Sequence, residues 1–129
     1  MTYTFHISEF TSKIPVYLVV ELIGNLLKNA VEAVKTQQVE KQIHLSCTEN
    51  ENEFCLGVRN RSEKIPLDEM GRFFEKGYSS KGSGRGLGLY NVKEICEKYG
   101  VDIVCDNTEV DDKNWFLIEL HIKKQTFSY

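Results

Sequence analysis

The sequence predicts an α/β fold, a two-layer α/β sandwich, and three observations point to it. Two long stretches repeat apolar residues at helical spacing. The other apolar residues alternate with polar ones over short runs, as strands do. Those runs come in adjacent pairs, which favours helices layered on one sheet over a doubly wound parallel fold.

The elements follow in order. Residues 2–7 read as a short strand. The run IPVYLVVELIGNLLKNAVEAVKTQ reads as a long helix with Pro15 near its first turn, where proline is tolerated. At about 100° per residue, Leu22, Ile23, Leu26, Leu27, Ala30, Val31, Ala33 and Val34 fall on one broad face. Glu21, Asn25, Lys28, Asn29 and Glu32 fall on the other, so the helix is amphipathic. KQIHLSCTEN alternates Ile43, Leu45 and Cys47 with polar neighbours, and EFCLGVRN does so through Phe54, Leu56 and Val58. Four polar residues separate the two runs, which predicts an antiparallel hairpin. A long irregular stretch follows, with one helical turn around residues 67–74. Loops of this length in a compact domain are usually functional or disordered. LGLYNVKEICEKYG is a second helix, with Leu87, Val92, Ile95, Cys96 and Tyr99 as its apolar stripe and Gly100 as its cap. VDIVCD and WFLIELHIKK close the chain as strands.

With 129 residues, 41% hydrophobic and 27% charged, the chain suits one ordered domain. Its net charge of −3 gives no electrostatic reason to expect nucleic acid. Cys47, Cys55, Cys96 and Cys105 form no C-x-x-C pair, so neither zinc nor a redox dithiol is expected. Buried, reduced thiols in a cytosolic protein are the expectation. No apolar run approaches the roughly 20 residues of a membrane span.

Two features suggest chemistry. GYSSKGSGRGLGLY, residues 77–90, holds five glycines and two cations, Lys81 and Arg85, just before a helix. It matches neither a Walker A loop nor G-x-G-x-x-G. Glycines still let the backbone approach an anion, and free N–H groups at a helix start point toward negative charge. A flexible linker is the competing reading. The second feature is the pair Asn25 and Asn29, four residues apart on one helical face. Asparagine is a poor mid-helix residue, because its amide competes for backbone hydrogen bonds. A solvated face accounts for the pair, and so does a neutral oxygen ligand for Mg2+, an ion held by few protein oxygens plus phosphates and waters.

Together the motifs resemble the GHKL ATP-binding superfamily. NLLKNA resembles its asparagine box, RFFEKGYSSK its phenylalanine box and GRGLGL its second glycine box. GYSSKGSGRGLGLYNVKEI is most similar to the catalytic domain of sensor histidine kinases, and among them to the accessory-gene-regulator, quorum-sensing peptide-receptor type. The resemblance spans nearly the whole chain. It implies a Bergerat fold with helices on a mixed sheet, ATP and Mg2+ as cofactors, and 1–129 as one catalytic domain excised from a longer, membrane-anchored receptor with this part in the cytosol.

By position, the resemblance implies Asn29 as the Mg2+ ligand and Asn25 as a phosphate contact. Gly86, Leu87, Gly88 and Leu89 would form the phosphate turn. Gly77, Tyr78, Ser79, Ser80, Lys81 and Arg85 would belong to the lid, with Lys81 or Arg85 reaching the terminal phosphates. Residues 77–85 are expected to be the least ordered part of a nucleotide-free crystal. Phe73 and Phe74 would anchor the lid. The first glycine box departs from its D-x-G-x-G-I pattern: this chain reads Asn60, Arg61, Ser62, Glu63, Lys64, Ile65. Asn60 can still offer a carbonyl oxygen to an adenine amino group, but without charge assistance. Weaker adenine binding and looser base selectivity are expected.

ELIGN, residues 21–25, is also similar to the superfamily's hydrolytic members, in which Glu21 would be a general base and Asn25 the metal ligand. In the kinase register Asn25 takes the base position. An amide accepts no proton at neutral pH, so water is poorly activated. Ala30 after Asn29 and the lid sequence favour the kinase register. The expected partners are a histidine-bearing dimerisation domain and a response regulator, since His6, His44 and His121 all lie in strand-like runs. A degenerate scaffold that no longer uses ATP is the alternative outside enzymes.

Overall fold

The computed structural model describes residues 13–77 and 87–124. The expected strand at residues 2–7 and the loop from Tyr78 to Gly86 lie outside them. Helix α1 spans Val16–Thr36. Pro15 caps it in an extended conformation (φ −60°, ψ 143°), and its carbonyl receives Leu18 N at 3.0 Å and Val19 N at 3.3 Å. Proline serves at this point because the first N–H groups of a helix lack intrahelical partners in any case. Val19, Leu22, Leu26, Ala30 and Val34 are buried, a stripe spaced by three and four residues that faces the core. Val31, assigned to that stripe by the helical wheel, is exposed.

Strands β1 (Ile43–Glu49) and β2 (Glu53–Arg61) form the expected antiparallel hairpin. Asn50 Oδ1 closes its turn by accepting from Asn52 N at 2.8 Å and Glu53 N at 2.9 Å. The short helix α2 (Leu67–Met70) is the expected helical turn. Helix α3 (Leu87–Tyr99) follows, and Gly100, at φ +68°, reverses the chain so that Val101 N reaches Cys96 O at 2.9 Å. That is a glycine C-cap of the Schellman kind.

Strands β3 (Asp102–Val110) and β4 (Lys113–Lys123) make a second hairpin, longer than the sequence pattern suggested. Its two-residue turn is Asp111-Asp112, both at positive φ (52° and 63°). A type I′ turn demands this sign at both positions, and its twist suits a hairpin. The sheet order is β1-β2-β4-β3, and every described pairing is antiparallel. The parallel partner that a mixed sheet requires is therefore not among the described strands.

One face of the sheet meets the helices. Cross-strand partners Phe54 and Ile122, Leu56 and Leu120, Val58 and Ile118 are all buried there. Leu22, Leu26, Val92 and Cys96 close the core from the helical side. Each large aliphatic side chain so buried contributes about 1.5–3 kcal/mol. Leu89, Val92 and Cys96 are the buried stripe of α3, with Ile95 and Tyr99 packed beside it. All four cysteines are free. Cys96 is buried as expected, but Cys47 is exposed, toward the end of β1 where the side chains on both faces are exposed.

Candidate functional site

Asn25 and Asn29 sit one turn apart on α1, both half-buried. Asn25 faces the start of α3. A Cβ added at Gly88 would lie 3.6 Å from Asn25 Oδ1 and 4.0 Å from its Cγ. The sequence motifs at residues 25 and 88, 63 positions apart, thus form one surface. Only a glycine leaves the backbone of that first turn bare beside the amide. Asn25 Nδ2 is buried and has no hydrogen-bond partner among the described residues. Such an orphan donor is costly and calls for a ligand or water. The Asn25 atom nearest Gly88 is Oδ1, and the α3 N-terminus beside the amide adds free N–H groups and a dipole that suit a phosphate. Leu89 does not contribute its side chain to this surface: it is buried in the core, so a phosphate there would meet backbone alone.

Asn29 offers a neutral carbonyl oxygen on the same helical face. One such ligand fits Mg2+, which takes its remaining oxygens from phosphates and waters. Glu21, one turn before Asn25, is exposed.

The departed first glycine box is a built loop. Asn60 is buried at 5% exposure, and its Nδ2 donates to Arg61 O at 3.0 Å. Ile65 is gripped by the Asn107 amide, whose Oδ1 accepts from Ile65 N and whose Nδ2 donates to Ile65 O, both at 2.9 Å. Asn114 Nδ2 donates to Ser62 O at 3.1 Å and to Asn107 Oδ1 at 3.3 Å, and Ser62 N returns a bond to Asn114 O at 3.2 Å. Arg61 also donates to Asn114 O from its guanidinium, which lies 5.7 Å from the Trp115 ring centroid. At the near side Glu63 N donates to Gln37 Oε1 at 2.9 Å, tying the loop to the end of α1. Where glycines would have let the backbone turn, side-chain amides hold it.

Sequence reading missed Asn107, Asn114 and Gln37. Asparagine is depleted in strands, so two of them in otherwise apolar-alternating runs were the available signal.

Phe73 and Phe74, the expected lid anchors, are packed in the fold. Phe73 stacks on Phe116, with centroids 5.4 Å apart and planes at 19°, and Phe74 packs against the core. Gly77 has φ +78°, a value L side chains rarely adopt. Lys76 Nζ lies 5.9 Å from the Tyr90 ring centroid, which brings Lys76 beside the first turn of α3. Tyr78, Ser79, Ser80, Lys81, Arg85 and Gly86 lie outside the described residues, as does the Leu87 side chain.

All four thiols are raised above their ordinary value, chiefly by burial. Burial pushes Cys96 up to about 12, and burial with the Asp106 charge pushes Cys105 up to about 12. His44 and His121 lie in β1 and β4, so neither has the helical setting of a phosphoacceptor.

The GHKL domain family model matches residues 16–123. Sensor protein CitS of Bacillus subtilis is 38% identical over 81 residues, covering 63% of this chain and 15% of that protein. CitS of Halalkalibacterium halodurans is 37% identical over 95 residues, covering 72% of the chain and 18% of that protein. Sensor histidine kinase DcuS of Escherichia coli K12 is 31% identical over 93 residues, covering 66% and 16%. The chain therefore spans under a fifth of the length of these curated relatives. Among solved structures, the nucleotide-free catalytic domain of histidine kinase ThkA superposes with a TM-score of 0.64 at 27% identity, over 82% of this chain and 66% of that one. No helix among the described residues is long and apolar enough to cross a membrane. With its motifs, its sheet and these relatives in agreement, the chain belongs to the GHKL family, as a domain homologous to the ATP-binding catalytic domains of sensor histidine kinases.

Proposed function

We propose that this domain holds Mg-ATP between α1, the amide-clamped loop 60–66 and the first turn of α3, and gives up its γ-phosphoryl group to a histidine on a separate dimerisation domain. The observation that carries this is the approach of the Asn25 amide to the bare backbone at Gly88, at a helix start, with its Nδ2 buried and unpartnered among the described residues. Asn29 supplies one metal oxygen. Asn60 Oδ1 accepts from the adenine amino group, while Arg61 O holds one N–H of its Nδ2 and steadies the amide. Lys81 and Arg85 reach the terminal phosphates from the lid. The bound ion neutralises phosphate charge; phosphoryl transfer otherwise rests on positioning. Asn25 takes no proton from water, which preserves the γ-phosphoryl for a protein nucleophile.

The wider assignments follow from the same reading. The domain is the cytosolic end of a membrane-anchored receptor, and a response regulator receives the phosphoryl group. The lid sequence supports the accessory-gene-regulator type, with a secreted peptide as signal. A parent receptor whose autophosphorylation answers to a small carboxylate instead of a peptide contradicts that last point.

Calorimetry with Mg-ATP tests the core of the proposal. The expected dissociation constant is micromolar or weaker, because an amide replaces a carboxylate at position 60, and Asn29→Ala is expected to abolish the Mg2+-dependent part. Equal binding by Asn29→Ala refutes the metal assignment, and absence of binding by the parent leaves a scaffold. Phosphate release that Glu21→Gln abolishes would place the domain with the hydrolytic members.

A further inference from the structure

We propose that Cys55, Glu119 and His121 form a binding site for a borderline-soft divalent transition-metal ion of the zinc class, on the sheet face turned away from the helices. Cys55 of β2 and His121 of β4 are direct cross-strand partners, and Glu119 precedes His121 by two residues, so all three side chains share one face. One thiol, one imidazole and one carboxylate atom lie within 4.8 Å of one another, the one such group of three among the described residues.

The geometry is close to that of a tetrahedral ion. Zinc bonds of about 2.3 Å to sulfur and about 2.0–2.2 Å to nitrogen and oxygen imply sulfur–nitrogen and nitrogen–oxygen separations of about 3.6 and 3.4 Å. Here Cys55 Sγ is 4.0 Å from His121 Nε2, and Glu119 Oε1 is 2.6 Å from it. Rotamer adjustments below 1 Å would admit an ion in place of the shared proton. The orientation is already fixed from behind: Glu53 Oε1 holds His121 Nδ1 at 2.8 Å. A carboxylate behind a ligating imidazole is the usual outer support of such sites. The neighbouring Gly57 keeps the approach open, since a Cβ there would sit 2.8 Å from Ser46 Oγ and 3.9 Å from Glu119 Oε2. The histidine and both glutamates are 26–31% exposed, so an ion can enter and a water can complete the coordination. Binding releases the Cys55 proton, which burial and Glu119 otherwise hold up to about 11.

The site does not depend on the nucleotide proposal, because Cys55 lies five residues, about 16 Å, along β2 from Asn60. The metal-stripped chain is titrated with Co2+, whose thiolate complexes give a near-ultraviolet charge-transfer band, and then with Zn2+ in competition. One equivalent of Co2+ with that band, displaced by Zn2+, is expected. The band is lost in Cys55→Ser and kept in Cys47→Ser. His121→Gln weakens binding at least tenfold, and Glu53→Gln by about tenfold to a hundredfold. No band in the parent, or a band that survives Cys55→Ser, overturns the proposal. Alkylation of Cys55 in the unmutated chain gives a reading free of folding defects: Zn2+ should protect it, and an unchanged rate overturns the site.

Discussion

Gly88→Ala should separate stability from binding. Gly88 is the second residue of α3 and its φ is not positive, so alanine fits the backbone. The added Cβ would meet Asn25 Oδ1 at 3.6 Å, an ordinary contact with no clash. Alanine in place of a helical glycine is worth about 0.4–1 kcal/mol, largely through the unfolded chain. For a domain of this size that is a rise in Tm of roughly 2–5 °C. On the proposed reading the same methyl covers the bare backbone that the phosphates would meet. A loss of at least about 1.4 kcal/mol in Mg-ATP binding, tenfold in Kd, is expected. Thermal melts by circular dichroism, with and without saturating Mg-ATP, read both effects at once. The variant should melt higher than the parent alone and gain less from nucleotide. Undiminished Mg-ATP affinity would refute the phosphate turn, and a lower Tm without nucleotide would refute the backbone assignment.

Three other outcomes are expected. Asn107→Ala removes both bonds to Ile65 and should cost about 1–3 kcal/mol, with ATP binding weakened as loop 60–66 loosens; denaturant melts and calorimetry check this. Asp112→Gly relieves a positive φ in the β3–β4 turn and should stabilise the chain by about 0.5–1 kcal/mol, unless the turn adopts another type in solution, which NMR chemical shifts would reveal. His121 should titrate above its ordinary value, chiefly through the Glu53 hydrogen bond. Its folded pKa is raised, so its stabilisation is complete below the unfolded pKa near 6.5 and fades as pH rises through the folded value. An NMR titration in chelator should show this shift shrinking in Glu53→Gln; an unshifted His121 in the parent would contradict the pairing.

Local periodicity carries far in this chain. The α1 stripe, the β1–β2 hairpin and the Gly100 cap all rest on contacts within a few residues, which spacing reveals. The asparagine pair and the GLGL run were likewise visible as motifs, and the fold adds the contact between Asn25 and Gly88. What spacing hides is set by cross-strand register. The Asn107 grip on Ile65 spans 42 positions, and the Cys55–His121 pairing spans 66. Cysteine spacing registers only ligands that are neighbours in sequence, so it is silent on Cys55 and His121, which the pairing of β2 with β4 brings together. The extra length of β3 was missed because Asn107, Thr108 and Glu109 break the apolar alternation.

The Asn60 amide bears on which purine the domain accepts. An amide is ambivalent: its oxygen can accept from the amino group of adenine, and its nitrogen could equally serve the carbonyl of guanine. The aspartate of the usual glycine box has no such choice. Here Arg61 O holds one N–H of Nδ2, and Oδ1 is the acceptor the side chain can offer an amino group. A second N–H remains, so the amide keeps a donor that the acid it stands in for lacks. On the proposed reading the domain trades affinity for neutrality at this position, and that remaining N–H is what would loosen its choice between ATP and GTP, as its sequence suggests.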